Sequence, residues 1–192
     1  ALITNGQLVT VSCAEGDTGY IYDDALPFTI QKIETGQFSH TRTHLMLTLA
    51  RPDLAFEASR MPCDGVGLAR MEFIINNSVR IHPKALLEYA KLDETLRGDI
   101  DAITAGYGSP RDFFKKRLAE GIGMIAAAFW PRQVIVRTSD FKSNEYAKLI
   151  GGKQFEPEEE NPMLGNRGAY RYYHPAFRDS FVLECEVLKV VR

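Results

Sequence analysis

Three arginines stand where a guanidinium could do chemistry. Two close short apolar runs: Arg70 ends "GVGLAR" at 65–70, and Arg137 ends "QVIVR" at 133–137. In parallel α/β folds the carboxyl ends of the strands form the ligand face. Two guanidiniums there can grip one phosphate or carboxylate through paired N–H donors. Arginine suits this better than lysine, because its fork is planar and permanently charged. The competing reading is plain: strands often end in charged residues at the surface. The third arginine, Arg167, lies in "ENPMLGNRGAYR". Asn161-Pro162 signals a turn, and Gly165 and Gly168 bracket the arginine, so the backbone there can approach a ligand closely. An ordinary surface loop has the same composition, and the pattern leaves both readings open. Glu158, Glu159 and Glu160, just before, read as a solvated loop face rather than a metal site.

The elements that must position these residues alternate between strand and helix. "HLMLTLA" at 44–50 reads as a buried strand. "PDLAFEASRM" follows as a short helix, with proline at its first position. "GVGLARMEFII" at 65–75 is the second strand and its exit. "HPKALLEYAKL" at 82–92 and "DETLRGDIDAITAGYG" at 93–108 read as helical. The clearest helix is 110–130, where Phe114, Leu118, Ile122, Ile125 and Phe129 recur at helical spacing. Ser109 is a natural cap for it, and Asp112 favours the positive end of its dipole. "QVIVRTSD" at 133–140 is the third strand. Residues 141–168 are mixed, and 175–192 read as a final helix whose face carries Phe177, Phe181, Cys185 and Leu188. This order predicts an α/β fold with a parallel sheet and helical crossovers. An open doubly wound sheet and a (β/α) barrel both fit the pattern. A complete barrel takes about 250 residues, and only about four strand-helix units fit between 44 and 192.

The first residues differ. "QLVTVSC" at 7–13 alternates, and "GDTGYIY" at 16–22 reads as a turn into a second strand, together a hairpin or sheet edge. A hairpin alone is marginal in water, so this piece reads as the end of another domain. Residues 25–43 have no sustained period and read as a linker.

Composition narrows the partners. With 23 basic and 25 acidic residues the net charge is -2, so no global basic field recruits nucleic acid and anion binding must come from locally placed arginines. No apolar run approaches the roughly 18 residues that span a bilayer, so no membrane partner is expected. No basic segment followed by an apolar stretch opens the chain, so no signal peptide is expected. The three cysteines, Cys13, Cys63 and Cys185, are far apart and odd in number. They argue against a disulfide framework and against a Cys-x-x-Cys metal site, and a reducing cytoplasm is the simplest inference.

Four segments carry a resemblance to a known family. "VTVSCAEGDTGYIY", "GVGLARMEFIIN", "VIVRTSDFKSNEY" and "EENPMLGNRGAYRY" are similar, in order and spacing, to the PEP-utilising enzymes, and specifically to the phosphoenolpyruvate synthase (pyruvate, water dikinase) branch. The related phosphotransferase-system enzyme I shares the Gly-x-Gly-Leu-x-Arg-x-Glu element but runs Asp-x-Gly-Gly-Asp-Lys after the second arginine. "RTSDFKSNEY" resembles the synthase version. The resemblance covers the chain from about residue 7 to 192.

The resemblance implies a partial (β/α)8 TIM barrel at 44–192, the first half of the barrel that binds phosphoenolpyruvate (PEP) and pyruvate. Residues 1–24 would end a swivelling phosphohistidine domain. Arg70 and Arg137 match the family's substrate-binding arginines, and Arg167 matches a third basic position that lines the same pocket in enzyme I. Glu72 would point to the same side as Arg70 if the strand continues, orienting the guanidinium or forming a surface pair; Asp140 and Asn144 are candidates to support Arg137. The parent enzyme converts ATP, pyruvate and water to PEP, AMP and phosphate through a phosphohistidine, with Mg²⁺. The resemblance places the ATP site, the phosphorylated histidine, the Mg²⁺ ligands and the catalytic cysteine in other parts of that enzyme. No catalytic residue and no metal ligand is therefore expected here, and the isolated chain is expected to be inactive. His40 reads as a linker histidine, His82 and His174 as residues flanking helices, and Cys185 as core. Exposed sheet edges invite pairing with another chain, so a standalone binding module or a homo-oligomer is an alternative reading, as is an enzyme I-like phosphotransferase.

Overall fold

The computed structural model describes residues 3–14, 18–30, 41–161 and 163–192. Most of the expected linker, with His40, lies outside the described residues, as does Pro162. The chain divides into two compact units, Ala1–Gln37 and Phe38–Arg192.

The first unit holds β1 (Val9–Ser12) and β2 (Tyr20–Asp23), paired antiparallel with Val11 opposite Ile21. Both of these apolar side chains are exposed, as are Phe28 and Ile30. Two strands cannot bury a face on their own. Polar ties do the holding: Thr10 Oγ1 donates to the Asp24 carbonyl at 2.8 Å and accepts from Leu26 N at 2.8 Å.

The second unit is built on a parallel sheet, β3 (Met46–Leu49), β4 (Gly65–Arg70) and β5 (Gln133–Arg137), in the order β3-β4-β5. The helices are α1 (Ala55–Ala58), α2 (Met71–Ile74), α3 (Pro83–Leu87), α4 (Glu94–Thr104), α5 (Pro110–Phe129), α6 (Ser143–Tyr146), α7 (Ala169–Tyr173) and α8 (Arg178–Val191). Mixed α/β with a parallel sheet is thus the observed class. Among the described residues the sheet has three strands and does not close into a barrel. Among the described residues no strand follows β5; where a fourth strand-helix unit would have needed one, Ile150 makes only an isolated parallel bridge to Ile81.

α5 is the packing centre. Ser109 caps it by accepting from Asp112 N at 3.1 Å, and Pro110 sits in its first turn, where no N–H is needed. Phe114, Leu118, Ile122, Ile125 and Phe129 are all buried, as their spacing predicts. α1, α2, α3, α4 and α8 all pack on this helix. Gly121 makes room: a Cβ there would sit 2.7 Å from Ile74 Cγ2.

Two expectations need correction. β4 stops at Arg70, and Met71 opens α2 instead of continuing the strand. Met71, Ile74 and Ile75 are buried, and only a helical turn brings all three inward together. The buried stripe of α8 is Leu183, Glu184 and Val187, not a face containing Cys185, which is exposed. Leu183 and Val187 are four residues apart and meet α5, while Phe181 is turned onto the Tyr172 ring at 4.4 Å.

Gly65 sets the start of β4. Its φ is +147°, and a Cβ would lie 2.2 Å from the Gln133 carbonyl oxygen on β5. Gly65→Ala is therefore expected to lower unfolding free energy by more than about 2 kcal/mol, read from the midpoint of urea denaturation. An unchanged midpoint would show that the β4–β5 approach is looser than described.

Candidate functional site

The β4–β5 ladder pairs Arg70 with Arg137. The strands are parallel, so both arginines leave the sheet at its carboxyl end, and in-register neighbours project to the same face. The sequence brings them together through register, although 66 intervening residues separate them.

Their environments differ. Arg70 lies over the Phe73 ring, 4.6 Å from its centroid, a cation–π contact that leaves its N–H edge open. No ion pair or hydrogen bond to a described residue occupies it. Arg137 is held by two carboxylates. Nη2 donates to Glu72 Oε1 at 2.5 Å, and Nη1 lies 3.5 Å from Asp140 Oδ2. Its Nε is buried with no partner.

Glu72 is only 5% exposed. The turn into α2 places it beneath Arg137, on the neighbouring strand, rather than beside Arg70. Its Oε1 also accepts from Asp140 N at 2.8 Å, while Oε2 is buried without a partner. Asp140 in turn accepts a forked pair from Arg167, Nε to Oδ1 at 3.3 Å and Nη2 to Oδ2 at 2.9 Å. This carboxylate raises the already high pKa of Arg167. Glu72, Arg137, Asp140 and Arg167 therefore form one alternating chain of charges. Asn144 does not join it; its side chain is exposed on α6 and makes no hydrogen bond to Arg137 among the described residues.

A cleft of about 270 Å³ opens beside this chain, lined by Arg70, Glu72, Phe73, Asp140, Phe141 and Lys148, among others. Arg137 and Arg167 are answered by Glu72 and Asp140, whereas Arg70 has no carboxylate partner among the described residues; Glu145 and Lys148 add one charge of each sign to the cleft wall. Such a site suits a small anion with an apolar flank.

The loop carrying Arg167 is tightly made. Gly168 has φ +61°, and a Cβ on Gly165 would lie 2.1 Å from Glu159 Oε1. That oxygen accepts from Asn166 N at 2.7 Å. Glu158 and Glu160 are exposed, so the acidic run is a solvated face except at Glu159, which pins the loop.

Residues 29–188 match the profile of the PEP-utilising enzyme PEP-binding domain. The chain belongs to this family. It is similar to phosphoenolpyruvate synthase of Deinococcus radiodurans, 54% identical over 188 residues that cover 98% of this chain and 24% of that protein. It is 51% identical to phosphoenolpyruvate synthase of Escherichia coli, over 98% of this chain and 24% of that protein. To phosphoenolpyruvate synthase of Aquifex aeolicus it is 41% identical over 236 residues, covering 99% and 28%. The chain spans about a quarter of the length of these curated relatives.

Beneath the arginines this PEP-binding domain has a polar interior that no local motif announces. Glu156 accepts from both terminal nitrogens of Arg171, at 2.8 Å for the Nη1 bond. His82, 2% exposed, faces the same carboxylate with Nε2 at 2.9 Å from Oε1. Lys84 N donates to His82 Nδ1 at 3.1 Å, so Nε2 carries the proton and donates to Glu156. Arg171 Nε donates to the Asn166 carbonyl at 2.5 Å, one residue before Arg167. The network thus ties the Arg167 loop to the core. Burial alone would raise the Glu156 carboxyl, but Arg171 and His82 outweigh it and hold it below the ordinary range. A second missed group, Glu184, accepts from Ser139 N at 3.1 Å and from Ser139 Oγ.

Among the described residues no cluster of three or more His, Cys, Asp or Glu side chains could hold a metal ion. Glu72 and Asp140, the nearest acidic pair, are each already bonded to an arginine. They do not fit a Mg²⁺ site. His44 is exposed, 3.8 Å from Asp64. Among the described residues no helix is long and apolar enough to cross a membrane.

His82 gives this interior a pH signature. Burial lowers its pKa below the ordinary 6.5, outweighing the Glu156 hydrogen bond. The unfolded chain then takes up the proton first as pH falls. Stability contributed by neutral His82 is complete above about pH 6.5 and is lost as pH falls toward the lower folded value. Between pH 7.5 and pH 5 the urea midpoint of the parent chain is expected to fall relative to that of His82→Asn, whose side chain still caps Lys84 N. The comparison cancels the opposite contribution of groups such as Glu184, whose raised carboxyl gains stability as pH falls over the same window. Equal slopes in both proteins would exclude the assignment.

Proposed function

We propose that the chain is the first half of the barrel that binds PEP and pyruvate in a phosphoenolpyruvate synthase. The observation that carries this reading is the ladder pairing of Arg70 with Arg137 at the carboxyl end of parallel strands, beside a cleft lined by an Arg70 that no carboxylate among the described residues pairs. PEP and pyruvate are small anions with a short apolar carbon frame, which is what such a cleft accepts. Identity to the synthases above, over almost the whole chain, supports the same reading.

The residues divide the work. Arg70 offers a full guanidinium edge to the incoming oxyanion. Arg137 offers the terminal N–H donors that Glu72 and Asp140 leave. Arg167 holds Asp140 from behind and adds positive charge to that side. In phosphoryl transfer the protein contributes mostly positioning and neutralisation of the equatorial oxygens. Preset guanidiniums do this without reorganising when charge moves. Glu72 and Asp140 keep Arg137 from swinging into water, and their own charges are cancelled by the arginines they orient.

The full reaction of the proposed parent takes ATP, pyruvate and water to PEP, AMP and phosphate through a phosphohistidine. ATP binding, the phosphorylated histidine, the Mg²⁺ ligands and the proton donor would come from the rest of that protein, in the cytoplasm. The chain by itself is expected to bind PEP without turning over. Ladder edges on β3 and β5 would take the next barrel strands.

Titration calorimetry of the chain with PEP tests this. A charge-assisted hydrogen bond is worth roughly 1.5–3 kcal/mol, so Arg137→Lys or Arg70→Lys is expected to weaken binding at least about tenfold. In the parent protein the same changes are expected to depress pyruvate-dependent AMP formation. Full PEP affinity in both lysine variants would overturn the proposal.

A further inference from the structure

Glu184 is a buried carboxyl with no cation to answer it. It is 1% exposed, and no lysine, arginine or histidine among the described residues lies within ion-pair distance. Burying such a group is costly, and an apolar residue would serve the α8–α5 contact better. Its two oxygens instead serve one residue. Oε2 accepts from Ser139 N at 3.1 Å, and Oε1 accepts from Ser139 Oγ.

Ser139 is gripped from other sides as well. Its Oγ lies 2.7 Å from Tyr146 Oη. With the serine proton given to Glu184, the tyrosine must donate. Tyr172 Oη accepts from Thr138 Oγ1 at 2.8 Å and donates to the Ser139 carbonyl at 3.4 Å. α6, α7 and α8 therefore converge on residues 138–139, the only two between Arg137 and Asp140. A cavity of about 20 Å³ adjoins the group, lined by Ser139, Tyr146, Arg171, Tyr172 and Glu184, among others.

We propose that Glu184 is a positioning residue for anion binding: by fixing the Ser139 N–H and hydroxyl it sets where Arg137 and Asp140 stand at the strand end. The inference rests on the proposed PEP site, because it concerns how that site is held. Glu184 touches no ligand and acts through Ser139. Burial pushes its carboxyl up to about 7, so a neutral form is accessible near neutral pH. Glutamine reproduces that form. Its oxygen accepts from Ser139 N, and its amide donates to Ser139 Oγ, which then donates to Tyr146.

Three variants of the chain separate positioning from stability. Glu184→Ala leaves the Ser139 N–H unanswered, Glu184→Gln keeps it answered, and Leu183→Ala damages the same helix without touching Ser139. PEP affinity is read by calorimetry, and exchange of the Asp140 amide, which donates to Glu72, by NMR relative to β4 amides. Glu184→Ala is expected to lose about tenfold in affinity and to expose the Asp140 amide, while Glu184→Gln stays within about threefold. Leu183→Ala is expected to lower Tm with affinity and relative exchange unchanged. Parent-like affinity and exchange in Glu184→Ala, or equal losses in Leu183→Ala, would overturn the proposal. Should the parent chain bind no PEP, the substrate reading fails, and the Asp140 exchange comparison alone decides whether Glu184 positions the strand end.

Discussion

Two guanidiniums at adjacent ladder positions repel each other, and the rest of the site follows from how that repulsion is handled. Arg70 and Arg137 are fixed side by side by the β4–β5 register. One is left open, resting on the Phe73 ring. The other is neutralised by Glu72 and Asp140. In the proposed site this asymmetry would set the order of recognition: an anion would meet the unpaired Arg70 first, then whatever donors Arg137 has left. Were both arginines fully paired, nothing would attract the anion. Were both open, the strand ends would be pushed apart.

The remaining structure keeps these charges at their stations. Register needs β4 and β5 close together at Gly65, where only glycine fits against the Gln133 carbonyl. The strands need α5 behind them, and α2 reaches α5 across Gly121. The turn from β4 into α2 does two things at once. It buries Met71 and Ile74, and it swings Glu72 under the neighbouring strand, where it can reach Arg137. Hydrophobic burial thereby aims a carboxylate, and the packing of α2 and the electrostatics of the site cannot be changed independently.

What was legible in the sequence follows from range. The α5 face was legible because Phe114 to Phe129 repeat within one helix, and Ser109 and Pro110 mark its start. The strand-end arginines were legible because each terminates an apolar run. Glu72 was only half legible: its place in the chain pointed to Arg70, and only tertiary packing turned it to Arg137. The α8 stripe was misread in part: Phe177 is buried and Leu188 packs on the core, but Cys185 is exposed and the buried stripe runs through Leu183 and Val187, which are no more apolar than the residues the pattern offered. Glu156, Arg171, His82 and Glu184 were invisible as a set. Each looks like an ordinary polar residue, and their meaning lies in contacts 15 to 74 positions apart. Barrel closure was not legible from pattern, since three parallel strands with helical crossovers fit more than one architecture.

Those long-range polar contacts share a logic. Each anchors a short segment next to a site arginine: Arg171 holds the Asn166 carbonyl beside Arg167, and Glu184 holds Ser139 between Arg137 and Asp140. Apolar packing positions helices well but constrains a loop end poorly, because a methyl group has no preferred direction. A buried carboxylate or guanidinium does, since each of its bonds must be satisfied along a fixed axis. Directional anchors cost desolvation, and that cost is tolerable only where a small displacement would matter. Their concentration under the strand-end arginines, rather than under the hairpin or the far side of α5, is an argument from energetics that this end of the sheet is where the position of a charge counts.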